Sequence, residues 1–290
     1  MLDYHLHLWP HGERHADVEL ERLAAYCDEA QAQGVTEIAI TEHLFRFAQA
    51  DAALGRWWEG EEAAPERLRS QAASYWAEHT GADLDVYVDR VLAARAAGLP
   101  VVLGLEVDHY RGRMDEVQTL LDGYPFDVLL GSVHWIGAWL FDVLESAEAQ
   151  EEWDSRPIES VWDEYTTAVE ELAASGAIDV LAHPDLCKVS GRRPTVPDEF
   201  HDRIAEAAAA CGLAAEVSSA GWRKPCEEEY PAPDLLRRFK ARGVPVTTAS
   251  DAHGRGLVAH RSADLRPLVE AAGYTELAGY RERRRHAVPL

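Results

Sequence analysis

Cysteine is sparse in this 290-residue chain, and Cys27, Cys187, Cys211 and Cys226 form no Cys-x-x-Cys pair. A disulfide framework is not expected, and Cys187 and Cys226 read as small, partly buried side chains. Lysine is scarcer, with only Lys188, Lys224 and Lys240. With a formal net charge of -23 and no basic face, long-range repulsion argues against a nucleic-acid or anionic-lipid partner. No apolar stretch approaches the roughly 20 residues needed to span a bilayer, and no secretory leader is evident. A cytoplasmic location without membrane attachment is the expectation. Repeats and low-complexity segments are also missing.

What remains is a chain rich enough in apolar residues, at 47%, to bury a full core as one domain. Apolar runs at Leu2 to Leu6, Glu37 to Thr41, Val101 to Glu106, Val128 to Val133, Ile178 to Ala182, Leu213 to Val217 and Val246 to Ala249 read as seven strands. They alternate with helical periodicity at Val18 to Gln33, Leu84 to Ala97, Arg113 to Leu121, Ser160 to Ala174, Asp198 to Ala210 and Pro233 to Ala241. Continuous apolar runs between helices predict parallel strands buried on both faces. Helix-to-strand junctions are short and carry glycine, whereas the opposite junctions are longer and chemically richer, the asymmetry of a βα barrel; an open doubly wound sheet is the alternative, although its ligands would gather at one switch point rather than at nearly every strand end. Residues 47–81 and 136–157 interrupt the rhythm and predict loop insertions over one barrel face. Their tryptophans either pin these loops to the rim or touch a ligand. The basic tail Arg281 to His286 is expected to be solvated or docked on the chain itself.

The strands end on metal-ligating residues. Asp3-Tyr4-His5-Leu6-His7 places two imidazoles on one side of a strand. Later strands stop at Thr41-Glu42-His43, Gly104-Leu105-Glu106, Gly131-Ser132-Val133-His134, Leu181-Ala182-His183-Pro184 and Ala249-Ser250-Asp251-Ala252-His253. Imidazole and carboxylate together suit Zn, Mn or Fe. No strand ends on a lysine that could carry a bridging carbamate, which weakens an amidohydrolase reading.

This ordered set resembles the PHP (polymerase and histidinol phosphatase) superfamily, and its histidinol-phosphatase branch in particular, over Asp3 to His253. The resemblance implies a distorted seven-stranded βα barrel holding three divalent transition-metal ions. It assigns His5, His7, Glu106 and Asp251 to a first ion, and Glu106, His134 and His183 to a second. His43 and His253 go to a third, completed from the loop Pro10-His11-Gly12-Glu13-Arg14-His15. His11 is the first choice there, with Glu13 and His15 as alternatives. Glu106, Asp251 and His253 are expected to carry catalysis as ligands. Paired ions acidify a water nucleophile and neutralise phosphoryl oxygens. Arg223 is the preferred phosphate contact, because Ser218 to Pro225 resembles the segment that follows the sixth strand in that branch. Lys188 and Arg192, with Arg193 and Lys224, are further candidates. The implied activity is hydrolysis of L-histidinol phosphate to L-histidinol and phosphate in histidine biosynthesis. Alternatives are another small phosphate ester, such as a nucleotide or sugar phosphate, or a non-catalytic module.

Overall fold

A computed structural model describes residues 1–10 and 18–290. Seven parallel strands run β1 (Leu2–Asp3), β2 (Glu37–Ile40), β3 (Val101–Asp108), β4 (Val128–Ser132), β5 (Val180–Leu181), β6 (Ala214–Ser218) and β7 (Val246–Ala249), paired in that order. The sheet comes back on itself beyond β7. The Tyr4 amide donates to the Thr248 carbonyl at 3.0 Å and the His7 amide to the Ala252 carbonyl at 2.8 Å, which joins the first strand to the last. This is the seven-stranded α/β barrel that the alternating pattern predicts, distorted as the family resemblance implies. The first and fifth strands are shorter than the apolar runs suggest, and the third continues to Asp108.

Side chains two apart on a strand share a face, and this rule divides the barrel into a dry end and a polar end. Tyr4, Ala39, Val102, Val128, Leu130, Val180, Ala214 and Val246 form one buried apolar cluster. Continuing in steps of two from Val102 gives Gly104, Glu106 and Asp108; from Leu130 it gives Ser132 and His134; from Ala214 it gives Glu216. The same strands therefore carry apolar groups at their N-terminal ends and ligating groups at their C-terminal ends. At the waist, a Cβ on Gly104 would stand 2.8 Å from Thr41 Cγ2 and 2.9 Å from the Val128 carbonyl oxygen, closer than packing tolerates. Helices such as Leu84–Ala96, Ile158–Ala174 and Asp198–Ala210 cover the outside. The junction glycine Gly98 has φ +94°, a conformation that ends a helix without Cβ strain.

The segment 47–81 folds into helices Ala48–Leu54 and Glu66–His79. Residues 136–157 contain part of a short hairpin, in which Trp135–Ile136 pairs with Trp139–Leu140, and the helix Ala147–Ser155. Trp57, Trp76, Trp139 and Trp153 are all buried. Trp76 Nε1 donates to Asp51 Oδ1 at 2.7 Å and Trp153 Nε1 to the Phe141 carbonyl at 2.9 Å, each within its own insertion, and Trp57 and Trp76 pack on Tyr110, just past β3, at 5.5 and 6.0 Å between centroids, which pins the first insertion to the rim. The basic tail docks on the chain as an antiparallel hairpin, β8 (Glu276–Arg281) and β9 (Arg284–Pro289). Leu277, Ala278 and Tyr280 join the dry cluster, Arg283 Nε lies 3.1 Å from Asp179, and Arg281 pairs with Glu37. Among the described residues, no helix is long and apolar enough to cross a membrane.

Candidate metal centre

Glu106, fully buried near the end of β3, is the hub of the polar end. Its Oε2 lies 3.2 Å from His5 Nε2, 3.5 Å from His7 Nε2 and 2.7 Å from His43 Nδ1. Its Oε1 lies 3.0 Å from His183 Nε2 and 3.4 Å from His134 Nε2. Asp251 Oδ1 approaches His7 Nε2 at 3.5 Å and His5 Nε2 at 3.9 Å. His253 Nε2 stands 3.4 Å from His43 Nε2. The structure thus brings together His5, His7, His43, Glu106, His134, His183, Asp251 and His253. His11, Glu13 and His15 lie outside the described residues.

His183 and Asp251 leave the two-residue phase of the interior positions that precede them in β5 and β7. His183 follows Ala182, which belongs to the dry cluster, and Asp251 follows Ser250, which continues in steps of two from Val246. Both have positive φ, +26° and +50° respectively, where a side chain with a Cβ is strained. The left-handed turn re-aims each at the centre.

A second layer of carboxylates orients the imidazoles. His5 Nδ1 lies 2.8 Å from Glu216 Oε2, His134 Nδ1 2.6 Å from Asp108 Oδ1, and His7 Nδ1 3.6 Å from Glu42 Oε2. In His5 and His134, holding Nδ1–H at a carboxylate leaves Nε2 to face inward as a donor pair, an arrangement that also raises ligand basicity, while Glu42 stands beyond hydrogen-bond reach of His7 Nδ1. Glu42 is fixed in turn by the Leu8 and Trp9 amides and by Arg46. Glu216 and Asp108 went unmarked in the sequence, although each is an acid inside an apolar strand and Asp108 shares a strand face with Glu106.

The donor set fits cations. His5 Nε2, His7 Nε2 and Glu106 Oε2 are buried and make no hydrogen bond among the described residues, and nitrogen and oxygen atoms from at least three residues converge within 4.8 Å in four overlapping groups. Burial opposes ionisation of Glu106, but the charges of His5, His43 and His134 hold its carboxyl well below the usual range. Burial likewise opposes charge on His134, yet Asp108, Glu106 and Asp142 push it up to about 10. A proton held this firmly on His134 must leave before that imidazole binds a cation, so uptake is coupled to proton release.

A cavity of about 350 Å³ opens onto the cluster, lined also by Phe45, Tyr75, Trp135, Leu140, Asp142 and Lys224. Three expected phosphate contacts are elsewhere. The buried Lys188 ammonium lies 2.9 Å from Asp185 Oδ2 and 2.8 Å from Glu228 Oε2, and donates to the Glu229 carbonyl at 2.6 Å. Its charge is already satisfied. Arg192 is drawn to Asp154 Oδ1 at 2.5 Å and to the Trp153 carbonyl, and Arg193 to Glu228 Oε2 at 2.9 Å. Arg223 borders an adjoining groove shared with Asp142, Asp251 and His253. Its guanidinium donates to the Ser250 and Asp251 carbonyls at 2.8 and 3.0 Å, clamping the strained turn that carries Asp251.

The sequence pattern of the PHP domain family matches residues 3–220. The chain belongs to the PHP domain family. It is 34% identical, over 86% of its length and 87% of the relative's, to a Deinococcus radiodurans protein named "Probable histidinol-phosphatase". It is 26% identical to the histidinol-phosphatase of Lactococcus lactis subsp. lactis, over 96% of this chain and 94% of the relative. A crystal structure of histidinol phosphate phosphatase from that organism, complexed with zinc, L-histidinol and phosphate, superposes with a TM-score of 0.69, at 22% identity and 98% coverage of both chains. That superposition supports the PHP barrel described above.

Proposed function

We propose that this PHP protein is a metal-dependent phosphomonoesterase that hydrolyses L-histidinol phosphate to L-histidinol and inorganic phosphate. The observation that carries the reading is the convergence of five imidazole nitrogens within 3.5 Å of the two Glu106 carboxylate oxygens. The relatives' names supply the substrate. Histidine biosynthesis in the cytoplasm is the setting this activity implies.

The residues would divide among three divalent ions, with Zn, Mn and Fe all suited to the donors. His5, His7, Glu106 and Asp251 would hold the first, and Glu106, His134 and His183 the second. His43 and His253 would hold the third with a residue of the loop after β1, His11 in preference to Glu13 or His15. Bound there, such ions supply an acidified water and a positive field for the phosphoryl oxygens. Glu216 and Asp108 keep His5 and His134 in the tautomer that presents Nε2, and the Glu42 carboxylate lies beside His7. Lys224 on the cavity wall and Arg223 at its edge add positive charge where the phosphate enters. No side-chain nucleophile is required: Ser132 and Ser250 are buried, and Ser250 Oγ donates to Asp3 Oδ2 at 2.7 Å.

A panel of phosphomonoesters offered to the metal-reconstituted protein tests the proposal. Histidinol phosphate should lead in kcat/KM by a clear margin. A flat profile, or a preference for nucleotide or sugar phosphates, would move the assignment to another ester cleaved at the same centre.

A further inference from the structure

We propose that Asp142 is the residue that selects for the substrate's ammonium group, an inference that rests on the histidinol phosphate reading. The cavity is polarised. Its floor holds the anion-attracting centre, with Lys224 on the wall. Asp142, just beyond the hairpin that follows His134, lines both this cavity and the adjoining groove. Its Oδ1 is shielded from solvent and has no hydrogen-bond partner, and Asp142 forms no ion pair among the described residues. Of the other acids lining the cavity, Glu106 and Asp251 face imidazoles and Glu145 is exposed to solvent. A shielded carboxylate oxygen without a partner carries a desolvation cost that an entering cation offsets.

Aromatic rings stand around the same cavity. Tyr75 packs edge-on against Trp135 at 5.7 Å between centroids, and Phe45 against Tyr75 at 5.7 Å. Histidinol phosphate carries its ammonium on the carbon next to the ester carbon and an imidazole one carbon further on. With the phosphate on the floor, the ammonium meets Asp142 and the ring enters the slot of Phe45, Tyr75 and Trp135. A sugar phosphate offers neither the cation nor the flat ring.

The test compares L-histidinol phosphate with its deamino counterpart, 3-(imidazol-4-yl)propyl phosphate, in the metal-loaded wild type, Asp142→Asn and Asp142→Ala. Wild type should prefer the amine-bearing ester. Loss of a charge-assisted hydrogen bond should shrink that preference by about 10- to 100-fold in both variants, with bound metal unchanged. A preference kept by both variants, including an equal loss on both esters, overturns the assignment of Asp142 alone. A fall in bound metal would place Asp142 in the metal centre and also overturn it. A wild type that favours the deamino ester defeats the substrate reading and the proposal together.

Discussion

Replacing Glu216 by glutamine isolates the contribution of the carboxylates behind the ligands. Glu216 is fully buried, its Oε2 is 2.8 Å from His5 Nδ1, and it sits on the interior face of β6. Glutamine keeps the volume and can still accept from Nδ1–H, but it removes the negative charge that fixes the tautomer and raises the basicity of Nε2. Losing such an orienting partner lowers metal affinity by about 10- to 100-fold, which corresponds to roughly 1.4 to 2.8 kcal/mol. Equilibrium competition against a chromogenic chelator, with wild type and Glu216→Gln side by side, reads this directly. Thermal unfolding of the metal-free forms is the control. Unchanged metal affinity would refute the orienting role, and an equal fall in stability of the metal-free protein would assign Glu216 to the fold instead.

Glu106→Gln should reduce kcat by orders of magnitude while the fold persists, and near-normal turnover at full metal content would remove Glu106 from the centre. Arg223→Ala should lower kcat/KM by about 10- to 100-fold, and should also weaken metal retention because Arg223 clamps the Asp251 turn; full retention would leave it only a substrate contact. Burial and the Arg111 guanidinium push His109 down to about 4, even with Glu171 Oε2 3.1 Å away. Between that value and the ordinary histidine pKa of about 6.5, the unfolded chain binds the extra proton, so stability is lost as pH falls. Wild type should therefore lose about 2 kcal/mol more than His109→Leu between pH 7 and pH 5 in urea unfolding, and parallel losses would contradict a neutral buried His109.

The barrel was legible because its strands are apolar runs of strand length that end on chemistry, and His5, His7, His43, Glu106 and His134 follow from those endings. His183 and Asp251 were identified as ligating types, but their aim depends on left-handed backbone turns that no local pattern announces. Glu216 and Asp108 were hidden inside strands whose neighbours are apolar, although their two-residue phase with interior positions was available to read. Lys188 and Arg192 were misplaced for a different reason. A cation in a loop near a site has no sequence mark telling which carboxylate it meets, and here Asp185, Glu228 and Asp154 claim them. The closing hairpin lacked a signal as well, since its arginines look solvent-seeking while Leu277, Ala278 and Tyr280 bury against the dry end.

The most direct test of the central claim strips the protein with chelator, then adds zinc, manganese or iron stepwise while bound metal and phosphate release from L-histidinol phosphate are measured together. Activity should be negligible in the stripped protein and should rise with occupancy, reaching its plateau above one equivalent of metal per chain. A metal-free protein that releases phosphate at the full rate would contradict the account.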